Sequence, residues 1–171
     1  MIWLSADLSK SCSGLALWRD SSLLSVACLR AFGAKGKHKF QGRAFDSDIE
    51  AWRAAFAGMS GDKGPHVLVY ESGLGHHMTT ARILAEHRGG VLMLWRVFGA
   101  ARAIEVNVNE WRRVAREAWG VSWPKDGSAC KALAVSLVRE HYGREVSPDG
   151  ADAVLIGHWA LRTRAIDAVA S

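Results

Sequence analysis

Ile2-Trp3-Leu4-Ser5-Ala6-Asp7, Gly14-Leu15-Ala16-Leu17-Trp18 and Leu23-Leu24-Ser25-Val26-Ala27-Cys28-Leu29 are three short, mostly apolar runs in quick succession. The first gap, residues 8–13, is polar with Ser, Lys and Cys. The second, Arg19-Asp20-Ser21-Ser22, has the length of a tight hairpin turn. Strand-length runs separated by such turns predict an antiparallel meander.

Downstream the periodicity changes. A basic loop, Gly33 to Lys39, precedes Ser47 and Glu50, which stand at capping-box spacing. Ile49, Trp52, Ala55 and Phe56 then repeat with helical period, and Gly58 and Gly61 end that helix. His66-Val67-Leu68-Val69-Tyr70 is continuously apolar, as expected of a strand buried on both faces, and Glu71 closes it. A long helix is expected over about 78–98, with Gly89-Gly90 as a weak point, and a strand over Ala103 to Val108. Asn109 is placed to cap a helix reaching Trp119, and Ser128 one reaching Tyr142, with Gly120 and Gly143 as their stops. Ser147-Pro148 opens a last helix running toward Val169. Helices between the later strands imply parallel crossovers. The expected fold class is α/β: a mixed five-stranded sheet, three antiparallel strands then parallel crossovers, flanked by helices. One domain over 1–171 is expected.

Composition narrows the function classes. Of 171 residues, 49% are hydrophobic and 23% charged, which suits a packed domain and not a disordered chain. No stretch approaches the ~20 apolar residues of a membrane helix, so no membrane partner is expected. Met1-Ile2-Trp3-Leu4 lacks the basic start of a signal peptide, and Asp7 interrupts it early. Cys12, Cys28 and Cys130 are odd in number, widely spaced and form no C-x-x-C pair, so no zinc site is expected, and a reducing cytoplasm is the simplest compartment. The net charge of +5 points weakly toward nucleic acid.

Four carboxylates stand out by position. Asp7 ends the first strand and Glu71 the buried later one. Asp149 and Asp152 lie three apart at the start of the last helix, on one face, among Ala151, Val154, Leu155 and Ile156. Taken singly, a strand-end acid is usually a solvated loop residue, and a first-turn pair is favoured by the helix macrodipole. Taken together they sit where α/β sheets gather their sites, at strand ends and helix starts. Four oxygen-donor side chains suit Mg²⁺ or Mn²⁺ and permit two ions about 3.5–4 Å apart, the arrangement of phosphoryl-transfer enzymes.

These same stretches carry a family resemblance. Leu4 to Leu17, with an Asp ending the first strand, then small residues and Gly14 opening the second, resembles the opening of RuvC-type Holliday junction resolvases. Val67-Leu68-Val69-Tyr70-Glu71 resembles their second acidic motif, and Thr80 to Gly89, with its closing Arg88-Gly89, the helix after it. Asp149-Gly150-Ala151-Asp152-Ala153 resembles their last motif. The matches fall in order over nearly the whole chain. The resemblance implies an RNase H-like fold and a homodimer, with the helix at about 78–98 as the dimer face. It implies a Mg²⁺-dependent endonuclease, two ions per site with Mn²⁺ as a substitute, that nicks two strands of a four-way DNA junction and leaves 5′-phosphate and 3′-hydroxyl ends. The family's catalytic acids fall on Asp7, Glu71, Asp149 and Asp152. Its active-site basic residues fall on Arg112 and Lys131, the latter near the scissile phosphate. Leu8-Ser9 stands where the family has Pro-Gly, and the Ser122–Gly127 loop contains Trp and Pro where the family is glycine-rich. These departures resemble a divergent or phage-borne member, working in a bacterial cytoplasm.

Two basic clusters, Lys35, Lys37, Lys39 and Arg43, then Arg112, Arg113 and Arg116, are candidate phosphate contacts, as is Lys125; either cluster also reads as a solvated surface. Trp123, beside Pro124 and Lys125, is a candidate for stacking on an unpaired base. His76 and His77 decorate the loop after Glu71, or touch the junction centre or assist the metal site. Trp52 and Trp159 are expected in the core and Cys130 as a packed thiol. Two other readings stay open: an RNase H-like nuclease for other branched DNA or RNA–DNA hybrids, and a non-catalytic junction-binding protein.

Overall fold

A computed structural model of the chain describes residues 1–9, 12–30, 52, 67–72, 78–97 and 102–167. Strands β1 (Ile2–Asp7), β2 (Cys12–Arg19) and β3 (Ser22–Arg30) make the meander, followed by β4 (Val67–Glu71), α1 (Met78–Val97) and β5 (Arg102–Val106). Helices α2 (Val108–Trp119), α3 (Gly127–Tyr142) and α4 (Pro148–Arg162) complete the order. The sheet runs β3-β2-β1-β4-β5. β1 pairs antiparallel with β2 and parallel with β4, and β4 pairs parallel with β5. This is the expected mixed α/β sheet. The helix expected around Ser47 to Phe56 falls outside the described residues apart from Trp52, which is fully buried. Among the described residues no helix is long and apolar enough to cross a membrane.

Period-two alternation decides what each face of the sheet carries. Trp3, Val67 and Val69 belong to one buried cluster with Trp18, Trp111 and most of α4. Leu4, Ala6 and Leu68 belong to another with Leu15, Trp52, Val91, Leu94 and Trp95. Both faces are therefore covered, as the unbroken apolar run of β4 requires. By the same parity Asp7 and Glu71 share the face of Trp3 and Val69. Ala6 lies opposite Tyr70 in the parallel β1–β4 ladder, so the next residues, Asp7 and Glu71, end neighbouring strands on that face.

α4 lies against this face with every residue from Gly150 to Gly157 buried. Two glycines admit it. A Cβ on Gly14 would fall 1.9 Å from the Asp149 carbonyl oxygen, and one on Gly157 would fall 2.4 Å from the Trp18 ring. Polar groups in the contact are satisfied: the Ser5 hydroxyl donates to the Ala153 carbonyl at 2.7 Å and accepts from the Trp18 indole at 2.8 Å. Trp18 stacks on Trp3 with centroids 5.1 Å apart.

Several boundaries differ from the sequence expectation. The β2–β3 hairpin closes on Asp20-Ser21 alone, because the ladder continues to Arg19 opposite Ser22 and Asp20 accepts a left-handed φ of 51°. α1 runs unbroken through Gly89-Gly90. Asn107, not Asn109, caps α2: its side chain accepts from the Asn109 backbone N–H at 2.9 Å, and Glu110 closes a capping box. Asp126, not Ser128, caps α3 by accepting from the Ala129 N–H at 2.8 Å. β5 ends at Val106, and α4 stops at Arg162, well short of Val169. Trp159 is half-buried against the core, whereas Cys130 is a packed thiol bonded to the Pro124 carbonyl at 3.0 Å.

Candidate active site

Three elements deliver acids to one place. Asp7 arrives at the C-terminal end of β1, Glu71 at that of β4, and Asp149 and Asp152 in the first turns of α4. Ser147 fixes that turn by accepting from the Gly150 N–H at 3.1 Å. A fourth element brings the counter-charge. Lys131, in the second turn of α3, places Nζ 2.5 Å from Asp149 Oδ1, 2.9 Å from Asp152 Oδ2 and 3.7 Å from Asp7 Oδ2. Glu71 stands beside this group and is held differently, its Oε2 accepting from the Trp111 indole N–H at 2.8 Å.

The electrostatics follow from burial. Asp7 is 9% exposed and Asp152 7% exposed, so neither charge is well solvated. Burial, then repulsion from Asp152 and Glu71, pushes the Asp7 carboxyl up to about 8, and the attraction of Lys131 only partly offsets this. Burial also raises Glu71 and Asp152, opposed chiefly by the Trp111 hydrogen bond at Glu71 and by Lys131 at Asp152. Lys131 is itself held above the ordinary lysine range: burial works against its charge, but Asp152, Asp149 and Asp7 outweigh it.

Three carboxylates thus share one ammonium, with Glu71 beside them on the Trp111 indole, and the cluster is short of positive charge. The donors are all hard oxygens, which suits Mg²⁺ or Mn²⁺ by chemistry. As the side chains stand, they surround an ammonium and do not form an open cage. No group of three or more His, Cys, Asp or Glu among the described residues is placed to hold a metal ion without rearrangement. The Lys131 ammonium lies between Asp7, Asp149 and Asp152. The donor set matches a divalent ion in its chemistry, four carboxylates of hard oxygen, with the Lys131 ammonium standing among three of them.

The basic candidates divide. The Arg112 guanidinium lies 5.2 Å from the Trp111 ring centroid and 5.0 Å from that of Trp123, and it lowers the pKa of both Glu71 and Asp152. Its Nε is buried without a hydrogen-bond partner. Arg113 and Arg116 are exposed on α2 and line a groove of about 370 Å³ with Asn109, Arg112 and Trp123. Arg113 pairs with Glu117 at 2.9 Å within its own helix. Lys125 is exposed in the loop before α3. Trp123 is not a free stacking platform: its N–H donates to the Arg112 carbonyl at 2.9 Å and its ring meets Trp111 edge to face. Lys35, Lys37, Lys39, Arg43, His76 and His77 lie outside the described residues. Sequence reasoning missed Trp111. The available signal was its place one turn into the helix that follows β5, pointing back at the strand ends.

No protein-family model matches the chain, and no curated protein matches it by sequence. Solved structures do match in fold. RuvC of Thermus thermophilus in complex with a Holliday junction substrate superposes with a TM-score of 0.63 at 13% identity, covering 95% of this chain and 96% of that one. A second structure of Thermus thermophilus RuvC gives 0.60 at 14% identity with the same coverage. The yeast mitochondrial Holliday junction resolvase Ydc2 gives 0.56 at 12% identity, covering 95% of this chain and 79% of that one. The chain thus has the RNase H-like fold of the RuvC-type resolvases.

Proposed function

We propose that this chain is a metal-dependent endonuclease that resolves four-way DNA junctions by paired nicks. One observation carries the reading: acids from β1 and α4 meet around one half-buried lysine with the β4 acid beside them, on a fold shared with proteins that handle Holliday junctions. Asp7, Glu71, Asp149 and Asp152 would hold two Mg²⁺, with Mn²⁺ as a substitute. When bound, the ions supply an activated water and stabilise the leaving oxygen.

The chain's own residues set the rest. The first turn of α4 presents Asp149 and Asp152 rigidly, because Ser147 caps it and Gly14 lets it seat on β2. With cations on the carboxylates, Lys131 would be available to a phosphate oxygen near the scissile bond. Arg112, lying over two indoles, offers a positive charge beside the acids, and Arg113, Arg116 and Lys125 extend it along one side. Lys35, Lys37, Lys39 and Arg43 would add a second phosphate-binding patch. Paired nicking needs two sites, which a homodimer through α1 supplies. Met93 and Val97 on that helix are 61% and 71% exposed and apolar, as an uncovered interface would be.

The substrate class is tested by competing a synthetic four-way junction against a fork, a linear duplex and an RNA–DNA hybrid in Mg²⁺. Preferential, symmetric cutting of the junction with 5′-phosphate products is expected. Equal or better cutting of fork or hybrid would move the assignment to another branched or hybrid substrate. Junction binding with no cutting in either Mg²⁺ or Mn²⁺ would make it a binding protein.

A further inference from the structure

We infer that Trp111 is a positioning residue for the site, its indole N–H orienting the Glu71 carboxylate for cation binding. The inference rests on the reading of Glu71 as a cation ligand and adds a residue that this reading does not contain. Asp7, Asp149 and Asp152 share Lys131, but Glu71 has no ion pair among the described residues. Its one hydrogen bond there is from Trp111 Nε1, at 2.8 Å. A glutamate at a strand end has three rotatable torsions, and this bond removes most of that freedom.

Trp111 is built to hold still. It is 1% exposed, and its ring meets Trp123 edge to face at 5.4 Å and 89°. The Arg112 guanidinium lies over both rings, and the Trp123 N–H is tied to the Arg112 carbonyl. The capping box of Asn107 and Glu110 fixes the turn of α2 from which Trp111 projects. An indole N–H donates only and does not titrate, so it holds one carboxylate oxygen in any protonation state of the site. The bond uses one lone pair of Oε2 and leaves the rest of the carboxylate to a cation. Hydrogen-bond partners of metal ligands typically change metal affinity by about 10–100-fold when removed.

The test measures Mn²⁺ affinity by electron paramagnetic resonance on the DNA-free protein. The variants are Trp111→Phe and a benzothienylalanine at position 111, which keeps the indole's shape and lacks only its N–H. Both should bind Mn²⁺ about 10–100-fold more weakly, and junction cleavage should recover at saturating Mn²⁺. Trp95→Phe is the control: it removes another buried indole bond, to the Arg102 carbonyl on the opposite sheet face, and should leave Mn²⁺ affinity within about threefold of wild type. A folded benzothienylalanine variant with wild-type Mn²⁺ affinity overturns the inference, even if Trp111→Phe is unstable. Glu71→Gln separates the two levels. Weakened Mn²⁺ binding there with a normal benzothienylalanine variant sinks only the positioning role. Unchanged Mn²⁺ binding in Glu71→Gln sinks the metal-site reading and this inference with it.

Discussion

At the residue scale, the chain places its charges against the preference of water and then divides one lysine among them. A buried carboxylate whose folded pKa is raised makes the folded state hold protons that the unfolded state has released. Stability is then fullest below the ordinary value and falls as pH rises toward the folded value. For Asp7 that window runs from 3.8 to about 8, with Glu71 and Asp152 raised in the same direction and Lys131 the only opposing charge bonded to the cluster among the described residues. His87 and His158 act the other way. Burial, aided by Arg88 at His87 and by Arg162 and His141 at His158, lowers both from 6.5 to about 4. His87 also faces Ser13 and Trp52, and His158 faces Tyr142 and Trp119. Their contribution is intact above 6.5 and is lost as pH falls toward 4. Above pH 6.5 only the acid effect remains, so the melting temperature of metal-free protein should fall between pH 6.5 and 8. Added Mg²⁺ should suppress that fall; a flat metal-free profile would refute the charge shortage at the site.

Lys131 gives a second prediction at this scale. Lys131→Met leaves three partly buried acids without their ammonium and should cost about 1–3 kcal/mol of metal-free stability, the exposed part of the pair being screened. Its melting temperature should rise more with Mg²⁺ than that of wild type, because the ion no longer competes with a resident cation. A smaller rise would show that Lys131 does not occupy the cation's place.

At the scale of elements, α4 is the piece whose seating makes the site. Gly14→Ala drives a Cβ into the Asp149 carbonyl and should cost about 1–3 kcal/mol as an overpacked contact. Cleavage should fall further than stability alone explains, because Asp149 and Asp152 move with the turn. Ser147→Ala, which strips the cap without adding bulk, should cost about 1 kcal/mol in denaturant unfolding. Much of this level was legible beforehand. Three close strand runs, the doubly buried β4 and the Ser147-Pro148 start all stand where the residues place them. Caps were less legible where polar residues crowd: Asn107 and Asn109, or Asp126 and Ser128, compete for the same role, and propensity does not separate them. The spacing of Asn107 to Glu110 was the deciding mark. Nothing local announces that Gly14 carries the weight of a helix 135 positions later; that contact exists only once β2 and α4 are packed.

At the scale of the whole molecule, sheet order converts two distant strand ends into neighbours. Parity and parallel pairing bring Asp7 beside Glu71, and the α2 and α3 helices then supply Trp111, Arg112 and Lys131. The four acids were visible in sequence by position, but the sharing of Lys131 and the Trp111–Glu71 bond were not, because both join residues far apart in the chain. The basic groove on α2 predicts a salt signature. Replacing Arg112, Arg113 and Arg116 with Ala should lower the log–log salt slope of junction binding by up to about 0.9 for each phosphate no longer neutralised. An unchanged slope would place the DNA elsewhere.

Whether these acids cut DNA with bound metal is decided by wild type and Asp7→Asn on a labelled four-way junction in Mg²⁺, with binding followed in parallel. Symmetric nicks are predicted from wild type, abolished by chelator, together with an Asp7→Asn protein that binds the junction but does not cut. Cleavage by Asp7→Asn at the wild-type rate, or wild-type cleavage indifferent to chelator, would contradict a metal site built on these carboxylates.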